Sequence, residues 1–298
     1  MNNTPAWNDS QEWLEADGLG GFASGTIGGI RTRRYHGLLL VATNPPAGRV
    51  MLVNGVEVYV TTPAGTFPLS SQRYDGQVVH PEGFKCLRDF RRDPWPKWTY
   101  GLPDGTRIER ELVIRHETPI VLLSWRVIGR ATGIFLTVRP LMSGRDYHTL
   151  HQENAQFNFS AEQSNGHVRW QPYAAHPAIV AHSNGKYAHG PLWYRRFFYQ
   201  EEWLRGFPAS EDLASPGEFR FELGEASLGR IDATIELIRR LLNTRRQTSG
   251  VEPRFVGLAV TFENCGYLLA DALFFHSCAC VRCCVCGCPR ERGRRGKT

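Results

Sequence analysis

Between residues 49 and 223 the chain alternates short apolar runs with turn-forming residues at close intervals, and almost no 3.6-residue periodicity crosses it. That spacing restricts the chain to an all-β architecture, because segments of four to eight residues punctuated by Gly, Pro, Asn and Asp are strands rather than helices. Asn54-Gly55 lies between the apolar runs 50–53 and 56–60. It suits the two positive-φ positions of a type I′ turn and predicts a hairpin. A second hairpin is predicted from residues 98–101, Asp104-Gly105 and residues 107–115. In its second arm Ile108, Arg110, Leu112 and Ile114 alternate with Arg107, Glu109, Glu111 and Val113, so both faces carry charge and a strand exposed on one side is expected. Residues 120–127 form a nearly unbroken apolar strand, and 134–139 another that Pro140 should end. Further strands are expected at 156–160, 167–171, 178–182 and 219–223, with Ser183-Asn184-Gly185 turning a hairpin. No internal repeat recurs at a fixed period, which disfavours a propeller. The expected fold is mainly β, an antiparallel β-sandwich.

Hydrophobic residues make up 42% of the 298 residues, enough for a sizeable core and against disorder as the default. The net charge of +6 is concentrated at the end: the last ten residues alone carry +4 and leave +2 for the rest. A broad basic face for nucleic acid is therefore not expected. The first residues have neither a basic start nor an apolar stretch, and no apolar run reaches membrane-spanning length, so no membrane partner and a cytoplasmic location are expected. Cys86 is the only cysteine before Cys265, which fits a reducing compartment and excludes a disulfide framework for this part.

Seven glycines, Gly18, Gly20, Gly21, Gly25, Gly28, Gly29 and Gly37, are threaded through residues 12–41 beside Arg31, Arg33, Arg34, Tyr35 and His36. Glycine at this density implies repeated bends or close approaches of backbone. No Gly-Lys-Ser/Thr follows and no strand–helix pair flanks Gly18-Leu19-Gly20-Gly21, so neither a phosphate loop nor a dinucleotide fingerprint is present.

The ordered strings Glu12-Trp13-Leu14, Gly18-Leu19-Gly20-Gly21-Phe22-Ala23-Ser24-Gly25-Thr26 and Thr32-Arg33-Arg34-Tyr35-His36-Gly37-Leu38-Leu39 resemble the opening of bacterial and archaeal glycogen debranching enzymes. The likeness continues through Val53-Asn54-Gly55, Phe90-Arg91-Arg92-Asp93-Pro94-Trp95-Pro96 with Trp98 and Tyr100, Trp193-Tyr194-Arg195, and Glu211-Asp212-Leu213 to Phe219, about residues 10–226 in all. The resemblance implies an amino-terminal β-sandwich domain over residues 1–226. It also implies glycogen or another branched α-glucan as partner, and a carboxy-terminal helical α/α barrel that carries the acid and base hydrolysing α-1,6-glucosidic branch points. That barrel is not recognisable in this chain, so the chain alone is expected to be inactive, with no catalytic residue of its own and no cofactor.

Glycoside hydrolysis needs two carboxyls flanking the bond. Glu12, Glu15, Asp17, Glu109, Glu111, Glu201 and Glu202 are available, but nothing in the sequence sets two of them across a sugar, and solvated surface carboxylates are the plainer reading. Sugar binding has better support, because glycans are gripped by aromatic faces flanked by charged and amide groups. Residues 91–100 and 193–199 have that makeup. Trp95, set between Pro94 and Pro96, is the least core-like aromatic; Trp98 and Tyr100 share one strand face. Arg33, Arg34, Tyr35 and His36 are expected either to line the cleft of a neighbouring barrel or to form a buried contact with it. His36 has no companions at metal-ligand spacing, and no metal site is assigned.

After residue 226 the pattern changes. Leu228, Ile231, Ile235, Ile238 and Leu242 recur at helical spacing with Arg239, Arg240, Arg245 and Arg246 near the far end, predicting a helical connector over 227–247. Residues 248–298, with six cysteines between 278 and 288 and an Arg-rich end, are expected to be disordered or the product of a shifted reading frame. Cys280, Cys283, Cys286 and Cys288 include two Cys-x-x-Cys steps, but no second separated knuckle accompanies them. Two alternatives stand beside the debranching-enzyme reading: a free-standing α-glucan-binding module, and a metal- or nucleic-acid-binding protein acting through this tail.

Overall fold

The computed structural model describes residues 10–129, 132–164, 166–223 and 256–262. It is mainly β, as expected, and two antiparallel sheets contain nearly every regular element. The first sheet holds β1 (Glu12–Ala16), β2 (Phe22–Thr26), β3 (Gly37–Asn44), β4 (Ala47–Thr62), β5 (Gly65–Pro68), β6 (Ser71–Tyr74), β7 (Val78–Glu82), β12 (Phe135–Asp146), β16 (Lys186–Phe198) and β17 (Ser210–Glu222). Its spatial order is β1-β2-β3-β4-β12-β17-β16-β6-β7, with β5 pairing β4. The second sheet holds β8 (Leu87–Arg91), β9 (Lys97–Gly101), β10 (Arg107–Ile114), β11 (Val121–Ile128), β13 (Ala161–Ser164), β14 (His167–Trp170), β15 (Ile179–Ser183) and β18 (Val256–Phe262), in the order β13-β14-β15-β18-β11-β10-β9-β8. One short helix, α1 (Gln200–Leu204), connects β16 to β17.

The core lies between the sheets. Val41, Leu52, Val58 and Val60 from the first sheet meet Trp98, Ile108, Leu112, Leu123, Trp125, Trp170 and Ile179 from the second in one buried cluster. Each of these positions is apolar and follows the two-residue alternation of its strand, so burying one face of both sheets fixes the register. Trp13 packs edge-on against Trp98 with ring centroids 5.4 Å apart, a geometry that adds about 0.5–1.5 kcal/mol to plain burial.

Several local expectations are corrected. Asn54-Gly55 does not turn a hairpin; β4 runs straight through it, pairing β3 on one side and β12 on the other. Leu141 opposes Gly55 and Met142 opposes Val53, leaving Asn54 as the extra residue of a β-bulge. Glycine at 55 leaves room for the end of Arg31: a Cβ there would lie 2.5 Å from its Nη1. Pro140 does not end its strand either, because β12 continues to Asp146 with Pro140 opposite Val56. Residues 156–160 form no strand. Ser183-Asn184-Gly185 joins β15 to β16 in the other sheet instead of closing a hairpin.

The Asp104-Gly105 hairpin forms as expected, with Arg107 opposite Gly101. Its second strand, however, is not exposed on one side. Glu109 and Glu111 are buried, and Lys97 bridges them at 3.3 and 3.0 Å while Arg126 donates to Glu109 at 2.7 Å. Pairing with cations is what allows carboxylates to leave water.

Part of the segment expected to be disordered is ordered. Val256–Phe262 is β18, inserted between β15 and β11 with Val260 opposite both Ala181 and Val121. The predicted helix at 227–247 and the cysteine tract lie outside the described residues. No helix among the described residues is long and apolar enough to cross a membrane.

Candidate functional site

The loop joining β2 to β3, residues 27–36, carries the Arg-Arg-Tyr-His motif and is held by its own hydrogen bonds. Thr26 Oγ1 donates to Ile30 O at 2.7 Å, His36 N to Arg33 O at 3.1 Å, and Ser24 Oγ to Tyr35 O at 3.2 Å. His36 is buried, and the backbone N–H of Thr32 donates to its Nδ1 at 3.1 Å. Accepting there places the ring proton on Nε2, which lies 3.4 Å from Glu12 Oε1. Burial pushes the imidazole down to about 4, against the pull of Glu12, so the ring is neutral at pH 7. Glu12 also accepts from Arg33 Nε at 2.7 Å, and Arg33 Nη2 lies 3.6 Å from Glu201.

Two buried ion pairs fasten this loop to the rest of the sheet. Glu202, on α1 and fully buried, accepts from Arg34 N at 3.1 Å and from Arg34 Nη2 at 2.9 Å. Deeper in, Arg145 of β12 engages Glu211 of β17 through both Nε and Nη2, while its Nη2 donates to Arg34 O at 2.7 Å. Glu211 also accepts from the Tyr199 hydroxyl and from His151 N at 3.0 Å. Burial and the neighbouring carboxylate push the Tyr199 phenol up, so it remains a donor. Burial opposes the charge on Arg145, but Glu211 and Tyr199 together outweigh it and the pKa is raised. Glu12, Glu201, Glu202 and Glu211 are each ion-paired to an arginine. Carboxyls held this way act as fasteners of the scaffold.

On the outer side of the clamped loop the structure gathers residues from four places in the chain. The Tyr35 ring lies 5.7 Å from that of Tyr147 and 5.9 Å from that of His148, and its hydroxyl is 3.2 Å from His148 Nδ1. The Arg34 guanidinium sits over Tyr35 at 5.7 Å and over Phe207 at 5.1 Å, and its Nη1 donates to His148 O at 2.6 Å. Arg49 covers the Tyr147 ring at 5.5 Å. Trp203, Leu204 and Phe207, on and just after α1, are 51–59% exposed. The result is one aromatic and cationic face on a rigid base.

The aromatic candidates of residues 95–100 are elsewhere. Trp95, expected to be presented by its prolines, is buried, as are Trp98 and Tyr100. Trp98 donates its indole N–H to Ile27 O at 3.0 Å and packs on Phe90, so its faces are taken by protein. A large aromatic gains more from the core than a proline-flanked loop gains by exposing it. Arg33, Arg34, Tyr35 and His36 thus form one group, Trp98 and Tyr100 belong to the core between the sheets, and Trp95 is buried outside that cluster. Tyr147, His148, Trp203 and Phe207 carried no signal in the sequence, because they reach the loop across more than 110 residues of chain. Glu211 fell in a string that resembled the family and Glu202 only among the carboxylates read as solvated, and their role as clamps appears only in three dimensions.

A family model described as glycogen debranching enzyme N terminal matches residues 11–227, most of the chain and almost all of the described sandwich. No curated protein matches the sequence.

Proposed function

The chain belongs to the glycogen debranching enzyme N-terminal family, and we propose that it serves as the non-catalytic, glucan-facing domain of an enzyme that hydrolyses α-1,6-glucosidic branch points. The observation that carries this reading is the face built by Arg34, Tyr35, Tyr147 and His148 on a loop locked by two buried ion pairs. Aromatic rings at fixed spacing stack on the apolar side of pyranoses, and the His148 imidazole and Tyr35 hydroxyl at its rim match sugar hydroxyls. Holding the loop in place beforehand lowers the entropy lost when a mobile glucan branch is captured.

The exposed Trp203, Leu204 and Phe207 extend the face with apolar surface that suits a protein neighbour better than a sugar. We assign this part to docking against the family's helical α/α barrel, which supplies the acid and base. The chain itself positions substrate and breaks no bond.

The test is electrophoresis of the full chain through native gels cast with and without glycogen. Retardation by glycogen that falls at least tenfold in apparent affinity for Tyr35→Ala supports the reading. Equal mobility in both gels, or release of glucose from a branched limit dextrin by the chain alone, overturns it.

A further inference from the structure

Behind the Arg-Arg-Tyr-His loop, between the sheets, lies a cavity of about 50 Å³. Its walls include Trp13, Leu38, Val56, Leu69, Trp98 and Tyr100. Beside the hydroxyls of Ser24, Thr26 and Ser70, four larger polar side chains stand among them: Arg31, Asn54, Gln72 and Arg110. Arg31 is 7% exposed, Asn54 1% and Gln72 2%. Nε and Nη2 of Arg31, both amide atoms of Asn54, Oε1 of Gln72 and Nε of Arg110 are buried without a hydrogen-bond partner. The lining holds two guanidiniums and no carboxylate.

This arrangement is costly by itself. Each orphaned buried polar atom forfeits about 1–3 kcal/mol, and a buried cation without a counter-charge more. Arg31 recovers part of that by lying over the Phe197 ring at 4.8 Å, and Arg110 by lying over Trp98 at 4.7 Å. Neither contact engages the open edge of Arg31. Nε–H and Nη2–H are the parallel pair that fits two oxygens of one carboxylate. The bulge at Asn54 and the bare backbone of Gly55 are what bring Asn54 and Arg31 to this wall.

We propose that the cavity is a binding site for a short-chain carboxylate, gripped bidentately by Arg31, with the Asn54 amide and Gln72 Oε1 receiving a hydroxyl on the adjacent carbon. Size agrees: at roughly 10–15 Å³ per water, the space takes about three to five water-sized groups, matching a two- or three-carbon acid and excluding a pyranose ring. Tetrahedral phosphate fits less well, since its additional oxygens meet the acceptor Gln72 Oε1. Water could satisfy the hydrogen bonds but brings no negative charge. The site is independent of the glucan-facing surface, and neither reading depends on the other.

The test uses the full chain with sodium lactate, sodium acetate, sodium phosphate and, as ionic-strength control, sodium chloride. The expected result is an unfolding midpoint that rises with the logarithm of lactate or acetate concentration beyond the chloride effect. The Arg31 Nε–H signal in an arginine-selective nitrogen–proton spectrum should shift along the same titration. Arg31→Lys keeps the charge but loses the fork, and should weaken the response at least tenfold. If that variant fails to fold, Gln72→Leu should lower the preference for lactate over acetate while retaining the acetate response, and the spectrum of the unmodified chain remains decisive. Indistinguishable responses to chloride and carboxylates would mean the cavity holds only water and would overturn the proposal, as would a response to phosphate alone.

Discussion

Removing one partner of the Arg145–Glu211 pair tests whether the loop is held electrostatically. Both side chains are almost fully buried, at 4% and 0% exposure. At an effective dielectric constant of about 20 and a charge separation of about 4 Å, the attraction is about 4 kcal/mol. Arg145→Met leaves Glu211 charged and buried with only the Tyr199 hydroxyl and the His151 N–H, and strips Arg34 O of its donor. Glu211→Met leaves a buried guanidinium held by backbone carbonyls and orphans the Tyr199 and His151 donors. Each single change should cost about 3–5 kcal/mol, the range for breaking a buried pair from one side. The double variant removes both charges and should cost clearly less than the sum, with a coupling of at least about 2 kcal/mol. Urea unfolding followed by tryptophan fluorescence measures all four corners of the cycle. Single costs below about 1 kcal/mol, or strict additivity, would refute the argument that mutual charge compensation is what holds β12, β17 and the loop together.

Two further outcomes follow from the same geometry. His36, held at about 4 in the fold against about 6.5 in an unfolded chain, binds its proton less readily when folded. Its contribution to stability is complete above pH 6.5 and is lost as the pH falls to about 4, a change of about 3 kcal/mol. Between pH 7 and 4.5 the parent chain should therefore lose about 2–3 kcal/mol more than His36→Gln; equal losses would contradict the buried neutral ring. Gly20 has φ +103°, and a Cβ there would lie 2.8 Å from Pro46 O. Gly20→Ala should lower the unfolding free energy by about 2 kcal/mol or more, because strained φ and a fixed backbone clash add; thermal unfolding with no measurable shift would show that the β1–β2 turn and the 45–48 turn do not meet as described.

Periodicity and turn chemistry in the sequence were enough to determine an antiparallel sandwich, since strand alternation and the absence of helical spacing are local properties that a chain cannot hide. They also placed the Asp104-Gly105 hairpin and the strands at 120–127, 167–171 and 178–182, where local preference and tertiary pairing agree. At Asn54-Gly55 and Pro140 they disagree. A strand paired on both sides by β3 and β12 gains more by continuing than the local turn preference can oppose, so the turn signal became a bulge. The Arg-Arg-Tyr-His motif was legible as a special loop from its glycines and its concentration of polar residues. Its exposed face was not, because Tyr147 and His148 arrive from the turn after β12, and Trp203 and Phe207 from α1 and the residues after it, and no spacing rule connects them to residue 35. Trp95, Trp98 and Tyr100 show the converse: their composition suited a sugar platform, and only the packing of two sheets decided that burial wins. The unpartnered edge of Arg31 belongs to the same class, since an arginine in a sequence carries no sign of whether its counter-charge will be there when the chain has folded.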